Sequence, residues 1–199
     1  MKRVLLVEGE NDLILCKHIL RRSGVIDSDI RIFDNTGTKY EKKTQETSVL
    51  NSLVDRNSPF KILIKVENGR DFVLSLFANV GINFLMTQRD TYFTVIFDHD
   101  RRDPEDDIKR LFSDIRSRNR EIYLQEIGKA KINSDVSRRD ISIKKISGHN
   151  EKFIQKFSIT TFRISLEDSI DERSLENPVE ERISRFAEKI RHKDFLGEL

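Results

Sequence analysis

Residues 92–103 read YFTVIFDHDRRD. Tyr92, Phe93, Val95, Ile96 and Phe97 form an apolar run that ends abruptly in two aspartates one residue apart. An apolar run with β-branched members reads as a strand buried on both faces, the habit of parallel sheets covered by helices. In a strand, residues i and i+2 share a face, so Asp98 and Asp100 project together while His99 points away. Two carboxylates held this close repel, and each tends to take up a proton unless a cation sits between them. An all-oxygen donor set suits Mg²⁺ or Mn²⁺, and Mg²⁺ is usually held by one or two carboxylates plus water and substrate phosphate.

The same pattern recurs on either side. Val4 to Val7 is apolar and stops at Glu8-Gly9, after which Leu15, Cys16, Ile19 and Leu20 suggest a helix to about Arg22. Ile30–Phe33 and Ile62–Val66 are further strand candidates, the latter broken by Asn68-Gly69. Val73, Leu76, Phe77 and Val80 fall at i, i+3, i+4 and i+7, the spacing of a helix with one apolar face. Ile108, Leu111, Phe112 and Ile115 repeat it behind Asp103-Pro104, a good N-cap and first helical position. A weaker stripe (Val49, Leu50, Leu53, Val54) lies in polar residues 39–57. Strand and helix alternate at βαβ spacing, which predicts an α/β fold with a mostly parallel sheet between helices.

The last third is less regular. Ile141/Ile143 and Phe162/Ile164/Leu166 alternate as strands do, and a final helix after Asn177-Pro178 carries Ile183, Phe186, Ala187 and Ile190 on one face. With no internal repeat or linker, the expectation is one domain: a core over about 1–125 and a C-terminal elaboration over about 126–199.

Composition narrows the function classes. Of 199 residues, 37% are hydrophobic and 35% charged, and the net charge of +2 is too small to draw in nucleic acid by itself, so such binding needs local patches. One cysteine, Cys16, precludes an internal disulfide and a cysteine-rich zinc site. His18, His149 and His192 lack zinc spacing, and no G-x-x-x-x-G-K-[ST] loop is present. The apolar stretch after Met1 is too short for a signal peptide and no run nears a membrane span, so a cytoplasmic chain without membrane contact is expected.

Both acidic motifs sit where an apolar strand meets a loop, and parallel strands end on one edge of the sheet, so Glu8 is expected to converge with Asp98 and Asp100. Gly9 is expected to allow a sharp turn or a close ligand approach. An apolar strand ending in Glu-Gly, with Asp12 three residues after the glycine, and a later strand ending in Asp-x-Asp resemble the Toprim domain. That domain is shared by topoisomerases, bacterial-type primases, overcoming-lysogenization-defect nucleases, a ribosomal-RNA maturase and recombination mediators. The resemblance covers Lys2 to about Ser117. The family's glycine-bearing turn between the motifs matches ILIKVENGRDF, with Gly69, and NTGTK, with Gly37, is its rival. Arg101-Arg102 after the second motif departs from the small residue common there.

The resemblance implies a Rossmann-like Toprim fold, Glu8 as general acid/base and Asp98 and Asp100 as Mg²⁺ ligands, with Glu8 near the metal. It implies metal-dependent cleavage of nucleic-acid phosphodiester bonds, most simply by a nuclease. The alternatives are a non-catalytic nucleic-acid-binding module and a subunit of a larger DNA- or RNA-processing complex, with protein partners or a homodimer. Asp12, Asp103 and Glu167 (in SLEDSI, 165–170) are further acidic candidates, although caps explain Asp12 and Asp103 as well. Gly9, Gly69, Arg70, Arg101 and Arg102 are candidates for contact with nucleic acid. Six Lys/Arg against two Asp between Lys129 and Lys145, and Lys39, Lys42 and Lys43 against Glu41, form basic patches that suit a phosphate backbone.

Overall fold

A computed structural model describes residues 2–34, 48–52, 58–88, 90–98, 104–132, 136–147, 150–162 and 178–196. In chain order these form β1 (Lys2–Val7), α1 (Glu10–Arg22), β2 (Ile30–Asp34), a helical stretch at 48–52 and β3 (Ile62–Val66). Next come α2 (Arg70–Leu76), a π turn (Phe77–Gly81), α3 (Ile82–Thr87), β4 (Thr91–Asp98) and α4 (Pro104–Arg118). The chain continues with β5 (Ile122–Glu126), β6 (Lys131–Ile132), β7 (Val136–Ser147), β8 (Asn150–Phe162), α5 (Val179–Lys189) and α6 (His192–Phe195).

The strands make one sheet in the order β2-β3-β1-β4-β8-β7-β5, with β6 beside β7. Strands β2, β3, β1, β4 and β8 run parallel, and β7 is antiparallel to β8, β5 and β6. The fold is therefore α/β, with a mixed, mostly parallel sheet between helices. Burial explains the apolar runs: all but the first residue of β1, all of β3 and all of β4 are buried. Val4, Leu6, Leu63, Phe93, Val95 and Phe97 pack against α2, α3 and α4. Leu5, Val7, Ile62, Ile64, Val66 and Ile96 pack against α1 and α5. Consecutive residues alternate between two cores, the period-2 rule at work on a two-sided sheet.

The C-terminal elaboration is part of this sheet, since β8 lies directly beside β4. Its sequence, NEKFIQKFSITTF, hides a strand that is buried from Phe157 to Phe162, because Ser158 and Thr160 are fully buried yet satisfied. Ser158 Oγ lies 3.1 Å from Thr94 Oγ1, and Thr160 Oγ1 donates to the Phe195 carbonyl at 2.9 Å. Buried hydroxyls are tolerated when hydrogen-bonded, so polarity alone does not exclude burial. Arg138 donates to the Lys193 carbonyl at 3.0 Å and Arg3 to that of Leu196, which ties the chain end to the sheet. Within that polar cluster, burial pushes the Tyr92 hydroxyl above its ordinary pKa. The strand expected at Ile164 and Leu166, like Gly37, falls outside the described residues.

The helix expected from the Val73–Val80 stripe extends to Thr87 through the π turn. Gly81 ends that turn where the chain passes close to β4: a Cβ there would lie 2.7 Å from Phe77 Cδ2 and 3.3 Å from Phe93 Cε1. The Phe77 ring cannot yield, because it is fully buried with ring centroids 5.8 Å from Phe93 and 4.6 Å from Phe157. In an open helix Gly→Ala gains about 1 kcal/mol, but overpacking a core costs about 1–3 kcal/mol. Gly81→Ala is therefore expected to lower stability by about 1 kcal/mol net in urea unfolding; an unchanged or higher midpoint would show that the ring gives way.

Candidate functional site

The carboxyl ends of β3, β1 and β4 lie side by side. The register pairs Leu6 with Val95 and with Lys65, so Glu8 emerges between the ends of its two neighbours. The helix after β1 packs on one face of the sheet, and the helices after β3 and β4 pack on the other. Chains leaving adjacent strands for opposite faces open a crevice, and open α/β sheets bind ligands at such points.

A cleft of about 430 Å³ occupies this place. Glu8, Gly9, Asp12, Gly69, Arg70 and Asp98 all line it. At its centre the Asp98 backbone N–H donates to Glu8 Oε1 at 3.0 Å, beyond the last β1–β4 pair, so a carboxylate takes the place a strand carbonyl would hold. Asp98 and Asp12 are 5% and 4% exposed, which keeps two carboxyl groups largely out of bulk water. Asp12 is the third residue of α1, and its negative charge adds to burial in pushing the Cys16 thiol well above its ordinary pKa. A thiol held so firmly in its neutral form is a poor nucleophile.

Opposite them, the β3–α2 loop closes the cleft. The Gly69 N–H donates to the Glu8 carbonyl at 2.9 Å, and the Glu67 N–H to that of Val7 at 2.9 Å. Arg70 follows at once, its guanidinium paired with Asp107 of α4 at 2.8 Å, each side chain 9% exposed. Asp107 belongs to the acidic first turn of α4, which in sequence reads only as favourable helix-dipole charge. Behind the loop, Lys65 Nζ lies 2.6 Å from Glu67 Oε1 and 4.6 Å from the centre of the Phe33 ring. This buried pair joins β3 to the residue just beyond it, and one lysine in ILIKV gives no sign of its partner.

No family model matches the chain, and neither a curated protein nor a solved structure matches it. What the cleft can do therefore rests on its own groups.

Of the sequence candidates, Glu8, Gly9, Asp12, Gly69, Arg70 and Asp98 come together here. Asp100, Arg101, Arg102, Asp103 and Glu167 fall outside the described residues. Among the described residues no three Asp, Glu, His or Cys side chains form a set that could hold a metal ion. The donors are nonetheless all oxygen, and Mg²⁺ sites commonly need only one or two carboxylates beside water. In kind, the donors fit a hard divalent cation. No helix among the described residues is long and apolar enough to cross a membrane.

Gly69 makes the glycine-bearing turn expected of it, whereas the sharp turn expected at Gly9 is absent. Gly9 is extended (φ −164°, ψ 176°), a conformation open to any residue, and a Cβ on it would come no closer than 3.8 Å to Asp12 Oδ2. Gly69 has φ +98°, in the region that side chains resist, although space around it is open. Gly69→Ala is expected to cost about 1–2 kcal/mol from backbone strain, and Gly9→Ala less than about 0.5 kcal/mol. Thermal melts of the two variants check this, and equal losses would contradict it.

Proposed function

We propose that the cleft is the active site of a Mg²⁺-dependent enzyme acting on nucleic-acid phosphodiester bonds, a nuclease of Toprim type. The observation that carries the reading is the contact between Glu8 and Asp98 across two parallel strand ends, in a cleft that Arg70 also lines. A carboxylate, a strand-end aspartate and a cation in one crevice are the parts a phosphoryl site needs. The order of the Glu-Gly and Asp-x-Asp motifs along the chain adds to this support.

Within the proposal each residue has a separate task. Asp98, with Asp100, would hold the cation. When bound, the cation supplies charge neutralisation at the phosphoryl oxygens and an acidified water. Glu8 would accept the proton of the attacking water, its orientation set by the Asp98 N–H. Arg70, steadied by Asp107, would place a substrate phosphate against the carboxylates. Gly69 would let the β3–α2 loop make its left-handed turn beside the Glu8 carbonyl.

Cleavage of single- and double-stranded DNA and RNA, followed with Mg²⁺ or Mn²⁺ and with chelator, tests the reading. Glu8→Gln and Asp98→Asn are each expected to lower kcat by about a hundredfold or more while the melting temperature holds, and chelation to abolish turnover. Activity that survives both substitutions would contradict the assignment. Salt-dependent binding with no cleavage of any substrate would assign the chain a binding role instead.

A further inference from the structure

A second cavity lies at the other end of α1. Because α1 returns antiparallel to β1, its last turn sits at the rim of the sheet away from Glu8. There Arg22, the α5–α6 junction and Lys131 of β6 surround a cup of about 500 Å³. Arg22, Lys131, Arg191 and Lys193 line it against one carboxylate, Asp194, with His192 beside them. Asp194 already accepts from Arg191 at 2.7 Å. Among the described residues, neither Lys131 nor Lys193 has a carboxylate partner. The Arg22 guanidinium donates to the Ala187 carbonyl and lies 3.5 Å from that of Ile190, so its orientation is fixed at the carbonyl end of α5. Ile19 and Ile190, 1% and 2% exposed, give the cup an apolar wall.

We propose that this cup binds a small phosphorylated organic molecule of nucleotide size. Its volume falls in the range of roughly 300–1,000 Å³ typical of small-molecule sites, which pair apolar walls with a few placed charges. Cations gathered without matching carboxylates repel one another, and an anion among them removes that repulsion while forming charge-assisted hydrogen bonds. Arginine and lysine together suit phosphate, the arginine through its planar fork and the lysines as point charges. The concave shape and apolar wall favour a compact ligand over a nucleic-acid backbone, which follows an extended basic groove. The inference is independent of the chemistry proposed for the Glu8 cleft.

Isothermal titration with adenosine monophosphate and with inorganic pyrophosphate, at low and moderate salt, tests it. Saturable one-to-one binding of the nucleotide is expected, weakened by about tenfold or more in Lys131→Glu/Lys193→Glu through the loss of two charge-assisted contacts. Both lysines are exposed, so the double variant should melt with the native protein, and Lys131→Ala/Lys193→Ala gives the same reading should it not. Absence of saturable binding by either probe, or binding unchanged in both double variants, would overturn the proposal. So would an oligonucleotide that binds through these lysines when neither small probe does.

Discussion

The parallel pairing of β1 with β4 constrains everything at the rim. Both strands are buried on two faces and apolar through their middles, with charge only toward their ends, and both leave the sheet at the same edge. The register then leaves no choice of neighbour: Glu8 meets the end of β4, and its carboxylate accepts the first N–H beyond the ladder. A slip of one residue would turn every side chain of β1 to the wrong core, so the two cores that stabilise the fold also fix the acidic contact.

Around that contact, ion pairs tie the loops to the helices behind them. Arg70 joins the β3–α2 loop to α4 through Asp107. Arg139 of β7 reaches the same helix through Glu105 and also holds Glu126 at 3.2 Å. Asp107 and Glu105 both lie in the first turn of α4, directly after the segment that carries Asp100 and Asp103. Exposed pairs contribute little, about 0–1 kcal/mol, but largely desolvated ones such as Arg70–Asp107 and Lys65–Glu67 are costly to break by halves. Their consequence is positional: the parts of the crevice that come from β3 and β4 are held at a fixed spacing.

The parallel half of the sheet was legible because strands buried on both faces read as apolar runs. Val4–Val7, Ile62–Val66 and Tyr92–Phe97 stood out for that reason, and the helices between them kept a clean 3.6-residue stripe. β8 was hidden by Ser158 and Thr160, whose burial depends on partners at Thr94 and Phe195 that no local pattern reveals. β5 was hidden by its edge position, where only Ile122 is buried. At the cleft, Glu8 and Asp98 could be placed from strand ends alone. Asp107 and the Lys65–Glu67 pair could not, because their roles come from contacts between elements. Gly9 and Gly69 were indistinguishable until backbone angles separated them.

The central claim is that the Glu8–Asp98 crevice receives a divalent cation. Anomalous diffraction from crystals soaked in Mn²⁺ tests it most directly. A peak within roughly 2.0–2.3 Å of an Asp98 carboxylate oxygen, lost in Asp98→Asn, is the expected result. A well-ordered crevice with no manganese, or manganese bound only elsewhere on the molecule, would contradict it.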